Sequence, residues 1–597
     1  MISQEIQLDR VASEVFRCLL RDFRREQGPD FARSAEEAFS SGIKEFREYE
    51  WPSLGVIGAN RYKAWLQLQH LHKRYRFEHD AYTDAELEDM TYKKYVKFQE
   101  SRAVYAPRTP RLLRVLREAR LVAREILGDI SLDAFQRGCK IGKRATLGNP
   151  RNNAYIDCKL GDPKAFTCPS ALRQWFFSDL DNDPLLKGIV KDVFKRRHAS
   201  GTGVDLSADY LNLVLVPKSW KTHRPITPLS LVGLFYSYGV GACVSERLRE
   251  HGLDIRRLQS RHQKLARRYS ATRSHVTADL SSASDSLRSD ILNAVLPRAW
   301  FTLVQKTFVR RVKINGEDYF TESVLPMGNG ATFPVETLVF YCLIRAVGRL
   351  LGVNGTYSVY GDDLIYPTSI HTYVSGIFQD LGIGVNGDKT FVHSYFRESC
   401  GGDYYRGFDV RPAMLPERPS LHLNRLRYCQ YLYKVLNSLL RRWHELEIST
   451  TVHWLLREIL AFSNEIFQVP PLFPDTAGVR VSVPLKSWYI PWSQPRSFYK
   501  NGSCWISFKF IGEIPAKGRL VIDERPFYWD VLRSISSRTP DWRAGFGWFR
   551  DLGRESLVNV DTGTLRPQWV KGRRVMTCAS LEEGVVKKQV CTVSNWA

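Results

Sequence analysis

Apolar positions recur with a helical period through the first ~130 residues, interleaved with dense charge, as in the stretch RYKAWLQLQHLHKRYRFEH. A Gly-, Asn- and basic-rich segment follows from Gly138 to Asn153. From about Tyr210 to Pro412 short β-branched runs alternate with amphipathic stretches, which predicts an α+β core. Within it Val335, Leu338, Val339, Cys342, Leu343, Ala346, Val347 and Leu350 fall on one helical stripe. Helical periodicity returns from Leu421 to Phe462, and the remainder is rich in Pro, Trp and Tyr, with strand-like runs such as CWISFKF and GRLVI. The longest uncharged stretch, Ile226 to Val244, contains Pro, Ser and three Gly residues, so it reads as buried core rather than a membrane span.

Size and charge narrow this picture. A chain of 597 residues exceeds one core, so several subdomains around a cleft are expected. A net charge of +23, with Lys and Arg spread along the whole length, points to an anionic partner such as a phosphate backbone. Eleven cysteines lie singly, without a C-x-x-C pair, which argues against structural zinc and a secreted disulfide framework. The first residues lack a basic start followed by an apolar run, so no signal peptide is expected and the protein reads as intracellular.

The strongest chemical feature is Tyr360-Gly361-Asp362-Asp363, set between the β-rich runs TYSVY and LIY. A hairpin would place Gly361 and both aspartates at its turn, where adjacent carboxylates call for a cation; an exposed turn is the plain alternative. In HVTADLSSASDSLRSDIL a strand is expected to end at Asp279 and a helix to begin near Ser282, capped by its hydroxyl with Asp285 three residues on. Leu287, Ile291, Ala294 and Val295 would share that helix's inner face. An aspartate at a strand end beside a two-aspartate hairpin can complete a two-magnesium site. Met327 to Thr332 forms a Gly-rich loop leading into the apolar helix, with Pro334 near its first turn.

Cationic segments flank these acids. Val216 to Pro225, VPKSWKTHRP, offers Lys218, Lys221 and Arg224 on an extended arm suited to a triphosphate, or simply a solvated basic loop. The segment RRLQSRHQKLARRY could line a nucleic-acid channel or be an ordinary exposed helix. Asn386 to Thr390 places Lys389 where it could protonate a departing pyrophosphate.

The order of these parts, a basic arm, an aspartate strand, a Gly loop with a helix, a GDD hairpin and a lysine, resembles the polymerase motifs lettered F, A, B, C and D. More narrowly, PKSWKTHR, ADLSSASDS, MGNGATF, YGDD and FRESCGGDYYRG resemble the replicase (beta) subunit of single-stranded RNA bacteriophages. The resemblance covers roughly the middle 200 residues. It implies a right-hand fold with an antiparallel palm sheet and GDD hairpin. The expected division is an N-terminal helical region with part of the fingers (1–205), fingers with the basic arm (206–274), palm (275–412) and thumb with the C-terminal region (413–597).

It further implies RNA-dependent RNA synthesis from ribonucleoside triphosphates with two Mg2+ ions, Mn2+ serving as a substitute. Asp279, Asp362 and Asp363 would be metal ligands and Lys389 the acid. Lys218, Lys221 and Arg224 would hold the triphosphate, and Ser284, Asp285, Asn329 and Thr332 would surround the ribose. Glu336 stands where many viral enzymes carry Asn, and Met327 where Ser is common. Host elongation factors Tu and Ts, a ribosomal protein, primer-independent initiation and the bacterial cytoplasm are implied in the same way. The Pro- and aromatic-rich residues after Val469 could offer a stacking platform for initiation, though a simple hydrophobic cap on the thumb is the favoured reading. A reverse transcriptase would place a bulky aromatic after Asp279, where this chain has LSSASD. A non-catalytic RNA-packaging protein would explain the charge but leave the ordered acids without a task.

Overall fold

The computed structural model describes residues 4–513 apart from short internal stretches, of which 47–56, 148–158 and 200–209 are the longest. Beyond 513 it describes strands 565–570, 573–578 and 584–592. The fold is mixed helix and sheet. Helix α1 (Gln4–Gln27) and helix α2 (Pro110–Leu127) precede a first strand, β1 (Tyr210–Asn212), and a basic hairpin, β2 (Val214–Ser219) with β3 (Thr222–Ile226). Helix α3 (Leu231–Glu250) takes up most of the uncharged stretch, and Ser230 caps it by accepting from the Gly233 N–H. It is buried along most of its length, as expected, and among the described residues no helix is long and apolar enough to cross a membrane. Helix α4 (Leu258–Thr272) carries the basic RRLQSRHQKLARRY sequence.

The central sheet has four strands in the order β7-β8-β4-β9, all neighbours antiparallel. Strand β4 spans His275–Ser281. A short helix α5 (Ser289–Val295) and a hairpin of β5 (Arg311–Ile314) and β6 (Glu317–Phe320) follow, then helix α6 (Thr332–Leu350). Strands β7 (Ser358–Tyr360) and β8 (Asp363–Pro367), helix α7 (His371–Asp380) and β9 (Gly384–Val385) complete the unit. A second sheet stands beside it: β10 (Phe396–Ser399), β11 (Gly402–Tyr405) and β12 (Phe408–Asp409).

Alternation along β4 decides what each face of the central sheet meets. Val276, Ala278 and Leu280, with Leu364 and Tyr366 of β8, join the main core formed with α2, α5, α6 and α7. Helix α6 is buried nearly all round, which explains why its apolar stripe extends beyond one face to Phe340 and Ile344. His275, Thr277 and Asp279 point the other way, where α4 and the second sheet lie: the His275 ring stacks on Tyr269 of α4 at 3.8 Å. A separate core joins α1 to helices α8 (Arg425–Leu440) and α9 (Ser449–Phe462).

Two local expectations are corrected. Strand β4 does not end at Asp279 but runs two residues further, because Leu280 and Ser281 pair with β9. No helix is capped by Ser282, which adopts φ 50°; a 3-10 turn at Ser284–Ser286 comes next, and α5 starts at Ser289. A left-handed residue cannot serve as an extended N-cap, and Leu287 is buried ahead of the helix rather than on it. Of the late strand-like runs, CWISFKF lies in the strand Ser503–Glu513, whereas GRLVI falls outside the described residues.

Candidate active site

Asp279 and Asp363 are direct partners in the β4–β8 register, so their side chains leave the same face of the sheet. Asp363 opens β8 opposite Tyr360, leaving Gly361 and Asp362 as a two-residue turn. The turn is seated on the start of α6. Gly361 has φ 62° and its N–H donates to the Thr337 hydroxyl at 3.0 Å, and a Cβ at this position would come within 2.6 Å of the Phe333 ring. Only glycine fits both the backbone and the space.

Three carboxylates thus crowd one edge, and their protonation reflects it. Burial raises the Asp363 carboxyl to about 7, helped by Glu398 and Asp362, although the Cys400 N–H donates to its Oδ2 at 3.1 Å. Asp362 is raised by desolvation and then by Asp279, against the pull of Lys389 and Arg224. Its tip touches solvent, yet the surrounding protein displaces much of the bulk water. Asp279 receives the Asn386 Nδ2 at 3.0 Å and the Lys389 Nζ at 3.3 Å.

The cations come from separate elements. Lys389 ends a 3-10 turn after β9; burial lowers its affinity for a proton, but Asp279 and Glu398 more than offset that, leaving it raised. Lys218 on β2 and Arg224 on β3 face the acids from the basic hairpin. Lys218 is lowered, first by desolvation and then by Arg224 and Lys389, with Asp279 and Asp362 opposing. Lys221 lies outside the described residues.

The Gly-rich loop behaves differently. Asn329 is buried; its Nδ2 donates to the Thr307 carbonyl at 3.1 Å and its Oδ1 accepts from the Ala331 N–H at 2.9 Å. The Thr332 hydroxyl is directed at the Leu325 and Pro326 carbonyls, at 3.2 and 2.9 Å. Both residues thus anchor the loop through these hydrogen bonds, whatever else their remaining donor and acceptor sites meet. The Gly330 N–H donates to Ser237 of α3 at 3.0 Å, and a Cβ on Gly241 would lie 2.6 Å from the Gly330 carbonyl. Ser284 is buried beside this region and Asp285 half-buried. Below them Glu336, only 6% exposed, is held well above the usual carboxylate range by burial, then by Asp362 and Asp285.

Sequence reasoning singled out neither Asn386, which grips Asp279, nor Glu398, raised by burial within reach of Lys389 and Asp279. Both lie inside motifs noted for other residues, and a carboxylate within FRESCGG was the available signal. All-oxygen donors such as Asp279, Asp362 and Asp363 suit magnesium or manganese. Among the described residues no three acidic, His or Cys side chains are already drawn together as a metal cage.

The family model for the RNA replicase beta-chain matches residues 93–453, more than half of the chain and all of the residues above. The chain belongs to that family. Its relatives include the RNA-directed RNA polymerase subunit beta of Escherichia virus Qbeta, 32% identical over 50% of this chain and 48% of its own length. The beta chain of Escherichia phage MS2 is 32% identical over 48% and 52%, and that of Enterobacteria phage SP 36% over 42% and 42%. The chain thus spans about half the length of the curated relatives it matches. A solved RNA-dependent RNA polymerase of a human picorbirnavirus aligns at TM-score 0.29 and 15% identity over 43% of this chain and 60% of its own, too slight a likeness to define a fold.

Proposed function

We propose that this chain is the catalytic subunit of a phage replicase and copies RNA by template-directed nucleotidyl transfer from ribonucleoside triphosphates. The observation that carries the reading is the pairing of Asp279 with Asp363 across β4 and β8, with Asp362 on the adjoining turn and Lys218 and Arg224 facing them. Family membership supports it.

Asp279, Asp362 and Asp363 would hold two Mg2+ ions, or Mn2+ in their place. Bound there, the ions supply Lewis acidity that orients a 3′-hydroxyl and stabilises charge on the phosphate and the leaving oxygen. Burial first, then neighbouring acids, raises the Asp362 and Asp363 carboxyls, and a bound cation would favour their charged forms. Lys218 and Arg224 neutralise the triphosphate, and Lys389, kept protonated by Asp279 and Glu398, gives its proton to departing pyrophosphate. Glu336 feels the charges of Asp362 and Asp285, and with Ser284 and Asp285 it would surround the ribose.

The same reading makes residues 206–274 basic fingers, 275–412 the palm and 413–597 the thumb with its C-terminal extension, and it includes primer-independent initiation. Elongation factors Tu and Ts and a ribosomal protein would join the enzyme in the cytoplasm of the infected bacterium. Incorporation of labelled ribonucleotides on an RNA template with magnesium, with and without bacterial extract, tests it. Activity lost in Asp362→Asn establishes the polymerase. Activity that needs extract establishes host subunits. RNA binding without incorporation under any of these conditions sinks the enzymatic reading in favour of a packaging role.

A further inference from the structure

A one-sided cluster of charge lies away from the acids, at the opposite end of the same strand face. His275 begins β4 four residues before Asp279, about 13 Å at the rise of a strand. Around it gather Arg267 and Arg268 of α4, Arg273 just past its end, and Arg406 after β11. Arg273 and Arg406 both adopt left-handed backbone, at φ 57° and 52°, and both place their guanidinium on Tyr395, at 4.4 and 4.6 Å from the ring centre. The Arg267 Nε donates to the Gly407 carbonyl at 2.8 Å, while the buried Arg406 Nε has no hydrogen-bond partner.

Beneath them lies Arg397, with 0% of its surface exposed. It donates to the carbonyls of His275, Ser394, Phe396 and Val392 at 2.6–2.9 Å and meets no carboxylate; burial, then Arg273, pull it down to about 10. Burial, then Arg268 and Arg397, likewise depress His275 to about 4. Among the described residues none of these five arginines is paired with an acid. Other surface arginines do meet acids, as Arg349 with Glu125 and Arg441 with Asp475. Only Arg397 is buried; the others reach the surface, where like charges gathered together repel unless an external anion sits among them.

We propose that Arg267, Arg268, Arg273 and Arg406, backed by Arg397, form a second RNA site that grips phosphates of a single strand outside the catalytic cleft. The Tyr395 ring is already occupied by guanidiniums, so the contacts are to the backbone and independent of base sequence. Stacking fixes the two forks in advance, which lowers the ordering cost of gripping a phosphate.

The site rests on the RNA-handling reading, and its test separates the two. Affinity for oligoadenylates of graded length is measured on the full chain at several salt concentrations. The variant is Arg268→Gln/Arg273→Gln/Arg406→Gln. Long oligomers should bind the variant about tenfold or more weakly, with a salt slope reduced by about 2, while the shortest should bind unchanged. The exposed Arg268→Gln alone should reduce the slope by about 0.7 for long oligomers only. Unchanged slopes and affinities in both variants overturn the inference and leave an acidic protein as the partner. If the wild-type chain binds no oligomer of any length, the replicase reading itself fails.

Discussion

At one end of the outward face of β4, Asp279 stands opposite Asp363 with Lys389, Lys218 and Arg224 around it; at the other, His275 lies among five arginines that pair with no acid among the described residues. Both ends are charged, but only the first sets acids against cations, with burial raising Asp362 and Asp363 on top. One strand therefore carries a cation-seeking end and an anion-seeking end. A polymer with a phosphate backbone and divalent counter-ions satisfies both at once.

The comparison can be broken most severely at the acidic end. Asp362→Asn should reduce nucleotide incorporation at least about 10²–10³-fold, the scale of losing one preorganised electrostatic contact, with RNA affinity nearly unchanged. Incorporation at the wild-type rate would remove Asp362 from the site. At the basic end, Arg397→Met should cost about 2–4 kcal/mol of folding stability, because four carbonyls lose their donor; a denaturant midpoint equal to wild type would show that the carbonyls find other partners. Lys218→Ala should raise the KM for nucleotides about tenfold while kcat changes less, and steady-state kinetics with an unchanged KM would place Lys218 outside the phosphate path.

A finer probe lies between the two ends. His262 of α4 is fully buried, bonded to the hydroxyls of Ser358 on β7 and Ser399 on β10 at 2.8 and 2.9 Å, and burial lowers it to about 3. The folded protein keeps this ring neutral, whereas an unfolded chain protonates it near its ordinary 6.5. Its contribution is thus complete above about 6.5 and is lost as pH falls toward 3. The melting-temperature gap between wild type and His262→Asn should narrow on acidification below 6.5. A gap that stays constant with pH would mean that the ring is not held neutral.

The sequence made the acids legible because each lies inside a short, ordered motif, and adjacency in the chain guarantees adjacency at a turn. It also located the apolar helix and the buried stretch before it, where periodicity extends over many residues. What it could not convey is how polar groups are spent. Asn329 and Thr332 read as polar groups beside their glycines, and the hydrogen bonds by which they anchor the loop depend on its three-dimensional path. Ser282 read as a cap because its type and spacing suited one, while pairing of Leu280 and Ser281 with β9 carried the strand past that point. Asn386 and Glu398 reach Asp279 from elements more than a hundred residues away, a proximity no local pattern encodes.

The contact of Gly241 with the Gly330 carbonyl has a thermodynamic consequence. The seam between α3 and the Gly-rich loop is backbone against backbone there, so closing it freezes no side-chain rotamers at either residue. The Ser237 hydroxyl accepts from the Gly330 N–H at the same joint, so a close backbone contact and a hydrogen bond must give way together. The loop should keep its shape up to the temperature at which the helix beneath it melts.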